Sequence, residues 1–412
     1  MSTDMKMAVR NIGRNRIRTV LTMSAIGFAA LILVFMLSFQ LGSYEAMVNS
    51  SVKIHTGHFQ IQAPEYNDNK NMRHVIEAPD VSLEKIKTIN AVAACTVRSN
   101  GFSLISSATR TRGGLVTGID PDREALVSTL ETLVRKGSYL DSEDRNQALV
   151  GALLARHLKV DIGDELTLLG QGRDGSIAAG VVEIKGIFSS GLDEFDRQTI
   201  QIPIHYFNDI FFMQGAVHKI VCTAGSLYQV DRIKQQLLPE LNKNNKTCNL
   251  VVLDWKQLMP GLVQGIKLDM ASAFIFYIIL VLVVALSIMN TFMMAVLERT
   301  KEFGIMLALG VQPKRLLKLV LLESGFLTLA GVVIGTAAGT AVTLWFQSHG
   351  IRLENASEIL KEYGMSGRVY PRLSWISAFA GPLAVCIITL TAAFFSALKI
   401  FKLKPAEAIN RI

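Results

Sequence analysis

The sequence predicts an α-helical membrane protein with four transmembrane helices and a large α+β extracytoplasmic domain inserted between helices 1 and 2. Three observations support this fold class. Half of the 412 residues are hydrophobic and only 18% are charged, compared with about 25% in an ordinary soluble domain. The apolar residues are concentrated in four long stretches. A segment of ordinary polarity, residues 45–269, separates the first stretch from the second.

Each apolar stretch is long enough to cross a bilayer, since a helix needs roughly 20 apolar residues to span about 30 Å of hydrocarbon. The stretches are Thr19–Tyr44, Met270–Leu297, Ser324–Ile351 and Leu373–Leu398. The first is too long for the apolar region of a signal peptide, which runs about 7–15 residues, and no small-residue cleavage site follows it. We therefore predict spans at residues 19–44, 269–297, 316–346 and 373–398.

The distribution of charge predicts how the chain is oriented. The basic surplus lies in residues 1–18, 298–318 and 399–412, which together hold 14 Lys and Arg against 4 Asp and Glu. Residues 45–269 hold 24 bases and 26 acids. Because Lys and Arg near span ends stay in the cytoplasm, we expect both termini and the second connection inside. The net charge of +8 does not indicate nucleic-acid binding, because no single folded face collects it.

The predicted segments between the spans follow from this orientation. They are an amphipathic cytoplasmic segment at 1–18, an exterior α+β domain at 45–268, a cytoplasmic loop at 298–315, a short exterior loop at 347–372 and a cytoplasmic tail at 399–412. In residues 5–18, apolar residues alternate with Arg10, Arg14, Arg16 and Arg18. Such a helix lies in the membrane interface with its bases on lipid headgroups; the alternative is a plain extension of the first span.

The exterior segment reads as mixed helix and strand. Period-two alternation and β-rich runs predict strands at 57–62, 101–107, 113–119, 180–191 and 248–254. Leucines at helical spacing predict helices at 121–137 and 229–241. Residues 148–170 predict a short helix, a turn and a strand. A repeat of 20–50 residues is not visible in the sequence, which argues against a solenoid.

Small and charged residues in the third span have separate meanings. Gly331, Gly335 and Gly339 recur every four residues, a spacing that lets helix backbones approach closely in lipid. Glu323 lies at the cytoplasmic end of the same span. We favour pairing or packing for it over a proton or substrate role, which stays open. The spans hold almost no other ionisable residue, which argues against an ion pump or a proton-coupled carrier.

Candidate catalytic and metal sites are scarce. The chain contains no Gly-Lys dipeptide, so the GxxxxGK[ST] phosphate loop is absent and we predict no ATP hydrolysis by this chain. His55 and His58 would point to opposite faces of a strand, so they do not predict a metal site. The acids of GLDEFD, residues 191–196, predict a turn with solvated charges. Among Cys95, Cys222 and Cys248 one disulfide is expected, with the pair left open.

The segment LERTKEFGIMLALG, residues 297–310, is unusual because it directly follows 28 uncharged residues. It carries Glu298, Arg299, Lys301 and Glu302 within five positions. A helix would present these as a mixed-charge face, and such faces give an interface its register and specificity. A solvated loop would explain the bases but not the acids. Gly310 and Pro313 are typical of a helix end followed by a helix start.

Three parts of the sequence resemble the FtsX-like, macrolide-exporter and lipoprotein-releasing superfamily of ABC transporter permeases. Residues 289–335, which include LERTKEFGIMLALG, resemble its membrane module. The basic AVRNIGRNRIRTVLT before the first span and the terminal LKPAEAI resemble the frame around that module. In the exterior segment, GALLARHLKVDIGDELTLLGQ and VVEIKGIFSSGLDEFDRQTIQIPI resemble the lipoprotein-releasing, Lol-type branch.

The resemblance implies a permease subunit in a bacterial inner membrane, with a periplasmic exterior domain. ATP and Mg would be bound by a separate cytoplasmic ATPase dimer, with no cofactor in this chain. A second permease copy or a paralogue would complete the transporter. The implied function is to transmit ATP-driven motion outward and extract or move lipoproteins or other lipid-linked or hydrophobic cargo. Alternatives are a signalling complex acting on a cell-wall hydrolase or sensor, and a tripartite peptide or drug efflux permease.

The resemblance also assigns roles to residues. It makes 298–315 the loop that docks on the ATPase, so coupling falls on Glu298, Arg299, Lys301, Glu302 and Gly304, with the glycine admitting a partner backbone. Relatives that hand lipoproteins to a soluble carrier grip it with a long loop between two exterior strands. The matching segment here is the short GQGRDGSIAAG, residues 170–180. Recruitment of a periplasmic carrier is therefore left open, and membrane lipids are the remaining expected contact.

Overall fold

The computed structural model describes residues 3–14, 16–242, 249–352 and 368–402. The chain divides into two units. The membrane unit comprises Met1–Glu45, Gly265–Arg352 and Arg368–Ile412. The sheet domain comprises Ala46–Gln264. Cys248 and the terminal LKPAEAI lie outside the described residues.

The helices, in chain order, are α1 Thr3–Arg14, α2 Arg16–Ser51, α3 Tyr66–Asn69, α4 Pro79–Lys87, α5 Pro121–Val127, α6 Ala152–Leu158, α7 Asp193–Gln198, α8 Ile204–Ile210, α9 Val230–Asn242, α10 Trp255–Leu258, α11 Pro260–Glu298, α12 Thr300–Ala308, α13 Pro313–His349 and α14 Trp375–Ala397. A π-helical turn, Val52–Thr56, continues directly from α2. Short 3-10 turns lie at Leu130–Leu133, Leu227–Gln229 and Leu398–Lys402.

The strands are β1 Phe59–Gln62, β2 Val92–Ser106, β3 Thr111–Ile119, β4 Val134–Gly137, β5 Gln147–Gly151, β6 Glu165–Gln171, β7 Ile177–Phe188, β8 Thr199–Pro203, β9 Lys219–Ala224, β10 Val251–Asp254, β11 Ile351–Arg352 and β12 Arg368–Val369. The first ten form one sheet in the order β10-β1-β9-β2-β3-β8-β5-β7-β4, with β6 paired to β2 and β7. Only the β3–β8 and β5–β7 pairs are parallel.

Among the residues that the structure describes, four helical segments are long and apolar enough to cross a membrane, which confirms the predicted fold class. They are Arg16–Thr56, Pro260–Glu298, Pro313–His349 and Trp375–Phe401. α2 and α11 extend beyond the apolar stretches that mark the predicted spans: α2 continues past Tyr44 to Ser51, and α11 begins at Pro260. Both extensions adjoin the inserted segment in the sequence.

Glycines let α13 pack closely against α2. A Cβ on Gly335 would overlap the backbone of Gly27, and one on Gly331 would lie 3.0 Å from the carbonyl oxygen of Met23. A Cβ on Gly339 would lie 3.1 Å from the carbonyl oxygen of Leu31. The three glycines singled out by their spacing therefore lie on the α2–α13 contact, where a side chain would force the helices apart.

The two largest hydrophobic cores of the sheet domain pack on the sheet. The larger includes buried residues of β5, β7 and β8 and is covered by α6 and α8. The second includes residues of β1, β9 and β10 and is covered by α4 and α9. Cys95 on β2 and Cys222 on β9 stand opposite each other in register and form a disulfide. That bond supplies the pair that the sequence left open.

Two local predictions in this domain are wrong. The predicted helix at 121–137 stops at Val127, because Ser128 is extended and residues 134–137 form β4 on the edge of the sheet. Strand pairing there outweighs the helical spacing of the leucines. The predicted turn in GLDEFD is instead α7. Its Asp196 is buried and accepts hydrogen bonds from the backbone N–H of Ser190 at 2.9 Å and from its hydroxyl at 2.6 Å.

Candidate functional site

The connection between α11 and α13 is a short helix with defined ends. Arg299 leaves the helical conformation after α11 (φ −97°, ψ 11°), and α12 begins at the next residue. Gly310 ends the segment with φ 88°, a left-handed conformation that favours glycine. Its N–H donates to the carbonyl of Leu307 at 3.0 Å. Pro313 then occupies the first turn of α13, where its missing N–H costs nothing.

An apolar anchor holds α12 to its own chain. Phe303 is fully buried. It packs in a cluster with Val296 of α11, Leu316 and Val320 of α13, and Ile400 of the last 3-10 turn. One side of α12 is therefore packed against the three helical segments around it.

Arg299 is the centre of an ion-pair cluster. Its Nη1 lies 2.7 Å from Oε2 of Glu323, and its Nε lies 3.1 Å from Oε2 of Glu302. Its guanidinium also stands over the ring of Phe303, 5.4 Å from the centroid. The side chains of Arg299 and Glu323 are each only 12% exposed. Glu323 of α13 is thus paired with Arg299, which lies at the junction of α11 and α12.

The cluster continues onto the first two helices of the chain. Arg14 of α1 pairs with Glu302, and Arg18 of α2 lies 2.8 Å from Glu298. Burial alone would raise the pKa of Glu302, but hydrogen bonds from Arg14 and Arg299 outweigh it and lower that pKa. The carboxylate is therefore held in its charged form. The ion pairs bind α12 and the end of α11 to the start of the chain.

The residues exposed on α12 are not all those that the sequence assigned to the ATPase contact. Lys301 is exposed, and so are Ile305 and Leu309 at the following helical positions. These three residues, which we call the α12 face, lie at i, i+4 and i+8 and share one side of the helix. Gly304, by contrast, is buried against the chain itself. The expectation that Gly304 admits a partner backbone is therefore corrected.

Polar contacts also join the membrane helices near their other ends. The hydroxyl of Tyr277 on α11 donates to Oε1 of Gln40 on α2 at 2.7 Å, and Tyr44 donates to Asp269 at 2.5 Å. Ser38 of α2 donates to Ser377 of α14 at 2.9 Å. Within the described residues of the membrane unit, α2 is thus bonded to the helices around it at both ends.

The segment at 170–180 forms a tight β6–β7 hairpin. Gly172 N–H donates to the carbonyl of Ser176 at 2.9 Å, and Gly175 has φ 93°. The solvent-facing side of the strands beside it is apolar. These exposed side chains, the apolar sheet face, are Phe102, Leu104, Leu169, Ile177 and Val181. Leu104 stands directly opposite Leu169 across β2 and β6.

Sequence reasoning missed the partners of Glu298 and Glu302. Arg14 and Arg18 were expected to face lipid headgroups or to extend the first span. The residues that they contact lie 288 and 280 positions away. Helical spacing reports only neighbours three or four residues apart. The sequence offered only a weaker signal. Residues 298–302 carry acids and residues 1–18 carry a surplus of bases, and both segments are predicted on the same side of the membrane.

Comparison with known proteins gives two family matches. Residues 19–239 match the MacB-like periplasmic core domain, and residues 274–405 match the FtsX-like permease C-terminal family. Two relatives are the lipoprotein-releasing system transmembrane proteins LolC of Neisseria meningitidis serogroup B and LolE of Haemophilus influenzae. Each is 23% identical over 75% of this chain and 75% of its own length. The crystallised periplasmic region of MacB from Actinobacillus actinomycetemcomitans aligns over 52% of this chain and 94% of its own, with 10% identity and a TM-score of 0.36.

Proposed function

Because this chain belongs to the ABC transporter permeases with a MacB-like periplasmic core and an FtsX-like membrane module, we propose that it transmits ATP-driven motion from a cytoplasmic ATPase to its periplasmic sheet domain. Its cargo is a lipoprotein or another lipid-linked, hydrophobic molecule of the inner membrane. ATP and Mg are bound by the ATPase dimer, and a second permease copy or a paralogue completes the complex.

The observation that carries the transmission step is the Arg299 cluster. A force on α12 reaches α13 through Glu323 and reaches α1 and α2 through Glu302, Arg14 and Arg18. Buried or half-buried charge pairs hold one geometry, because separating them leaves an uncompensated charge in a poor solvent. The cluster therefore favours movement of these segments together over independent flexing of the loop.

We assign the contact with the ATPase to the α12 face. Ile305 is 51% exposed and Leu309 is 79% exposed. Two apolar side chains beside Lys301 form an anchor with a charged rim, the usual composition of a specific interface. Glu298 remains exposed at the edge of this surface. Arg299 and Glu302 act behind it, as the groups that hold α12 in place.

The cargo assignment has support of a different kind. Two relatives that cover three quarters of this chain are named as lipoprotein-releasing proteins. The apolar sheet face exposes five apolar side chains on neighbouring strands, and exposed apolar groups on a folded domain favour an apolar contact. The hairpin beside it connects its strands through only residues 172–176, so we propose that a soluble carrier, where one acts, is gripped by the partner permease.

Two variants test the coupling surface. Ile305→Asp with Leu309→Asp places charges on the α12 face without touching the Arg299 cluster. We expect the ATPase to be lost on co-purification from detergent and its stimulation by the permease to disappear. Leu126→Asp is the matched control, since Leu126 is 73% exposed on the sheet domain. ATPase binding and stimulation equal to those of the unmodified protein would refute the assignment.

Lipoprotein release tests the cargo. With the complex in liposomes carrying a triacylated lipoprotein, we expect ATP-dependent extraction by the unmodified protein. Leu104→Asp with Ile177→Asp should reduce extraction while ATP hydrolysis continues. Two results would contradict the proposed transport function. One is that the unmodified protein extracts the lipoprotein without ATP, and the other is that it extracts no lipid-linked cargo at all.

A further inference from the structure

The end of the first membrane helix is held in an unusual way. The last carbonyl groups of a helix have no partner within it. The turn Val52–Thr56, which follows α2 and belongs to the sheet domain, offers its carbonyls to other groups of that domain. The carbonyl of Lys53 accepts from the N–H of Thr129 at 3.0 Å, and that of Ile54 accepts from the hydroxyl of Ser128 at 2.8 Å. Both donors directly follow α5.

Arg98 of β2 binds the next carbonyl. Its Nη1 donates to the carbonyl oxygen of His55 and lies 3.2 Å from Nδ1 of the same residue. Its Nε and Nη2 lie 2.9 Å and 2.5 Å from the two carboxylate oxygens of Glu124, which belongs to α5. One guanidinium therefore joins three elements: the end of the first membrane helix, the strand β2 and the helix α5.

The Arg98–Glu124 ion pair is deeply buried, and its burial indicates what the pair contributes. Arg98 and Glu124 are both fully buried. Replacing a buried ion pair by apolar residues of similar volume is often neutral or stabilising, so stability alone does not explain it. What an arginine adds is a rigid fork with donors in fixed directions. A helix C-terminus carries partial negative charge, and the third donor is aimed at that end.

The charge of Arg98 acts on a neighbouring buried lysine. Lys219 stands opposite Arg98 in the β2–β9 register and is also buried. Burial, together with the charges of Arg98 and Lys70, lowers the pKa of Lys219 to about 7, against the opposing effect of Glu124. Glu124, whose charge opposes this lowering, is engaged by Arg98 through both carboxylate oxygens.

We propose that Arg98 is a positioning residue that fastens the end of the first membrane helix to β2 and α5, so that displacement of this helix is delivered to the sheet domain. The inference rests on the proposed transmission function and names the contact through which it enters the periplasmic domain. The fastening has three points: Arg98 on His55, Ser128 on Ile54 and Thr129 on Lys53.

The test uses the full chain with its ATPase in lipid nanodiscs. Arg98→Met with Glu124→Leu removes the fork while filling its volume. Hydrogen exchange reports the fastening directly, because the N–H of Thr129 donates to Lys53. We expect that amide to exchange about tenfold faster, because the variant loses the neighbouring hydrogen bond from Arg98 that holds the same turn, and one such bond contributes roughly this factor. The amides of β5 and β7 should not change. Lys136→Met with Asp161→Leu, which removes an exposed pair of the same domain, is the control.

Coupling is read in the same samples. We expect the variant to hydrolyse ATP while lipoprotein extraction falls about tenfold and nucleotide-dependent exchange changes in β2 disappear. Faster exchange at Thr129 with normal extraction and a normal β2 response would overturn the proposal, and so would unchanged exchange at Thr129. If the unmodified protein extracts no lipoprotein, the proposed cargo fails, whereas the β2 response to nucleotide still decides the role of Arg98.

A gentler variant covers loss of folding in the double substitution. Ser128→Ala removes the hydroxyl bond to Ile54 and the bond that the same hydroxyl accepts from the N–H of Leu130. We expect it to fold, to raise exchange within residues 52–57 by a few fold, and to reduce the β2 response in proportion. A Ser128→Ala protein with raised exchange but a full β2 response would overturn the proposal as well.

Discussion

His58 and His218, two buried histidines of the sheet domain, are expected to make that domain lose stability in mild acid. The Nδ1 atom of each accepts a backbone N–H from a strand or strand end. For His58 the donor is Ala224 at 3.1 Å, and for His218 it is Asn100 at 3.1 Å. The Nε2 of His218 lies 3.3 Å from the carbonyl oxygen of Met72, which makes it the protonated nitrogen. Protonating Nδ1 would therefore break a sheet contact in each case.

The magnitude follows from the shift in pKa. Burial, helped by Lys53, lowers the pKa of His58 from 6.5 to about 4. Burial also lowers the pKa of His218 from 6.5 to about 4, against a raising effect of its bond to Met72. A lowered folded-state pKa means that the unfolded chain binds more protons between these values. The contribution of each histidine to the free energy of unfolding is therefore complete above pH 6.5 and is lost as the pH falls from 6.5 through 4. At pH 5 the loss is about 2 kcal/mol per histidine.

Hydrogen exchange in the full-length protein measures this directly. We expect the free energy of opening at the amides of Asn100 and Ala224 to fall by about 4 kcal/mol between pH 7 and pH 5, after correction for intrinsic exchange. His58→Gln with His218→Gln keeps an acceptor and a donor without titrating, and it should flatten the dependence. His205→Gln, at an exposed position, should leave it unchanged. A double variant with the original pH slope would refute the reasoning.

Three further outcomes are expected. Arg299→Met leaves the mostly buried Glu323 without its charge partner and should cost roughly 3–5 kcal/mol, seen as a lower unfolding temperature in detergent; an unchanged temperature would contradict the cluster. Gly335→Leu should separate α2 from α13 and abolish ATPase stimulation without releasing the ATPase, whereas normal stimulation would count against close packing as a requirement. Cys95→Ser with Cys222→Ser should lower the stability of the sheet domain by about 2–4 kcal/mol, measured by urea unfolding, with Cys386→Ser as the control that should change nothing.

The features that the sequence predicted well are those with a local cause. The spans follow from hydropathy, because lipid demands long apolar helices. The contact surface of α13 follows from glycines at fixed spacing, since only their small size permits the approach to Gly27. The end of α12 follows from Gly310, whose positive φ suits glycine.

The features that the sequence did not predict depend on distant residues. Residues 134–137 become a strand only because β7 offers an edge to pair with. Asp196 is buried only because Ser190 folds back onto it. The burial of Gly304 depends on which side of α12 its neighbours cover, and helical periodicity alone leaves that choice open. Long-range ion pairs have the same character, because their partners share no sequence spacing.

The two proposals meet on α2. At one end, Arg18 binds Glu298 beside the segment that we assign to the ATPase. Along its length, the backbone of α2 contacts the glycines of α13 without intervening side chains. At its far end, the carbonyls that a helix leaves unpaired are taken by Arg98, Ser128 and Thr129. Together, the two proposals make α2 the element that carries the displacement. The pathway therefore needs no charged conduit through the bilayer, which agrees with spans that carry almost no ionisable residue.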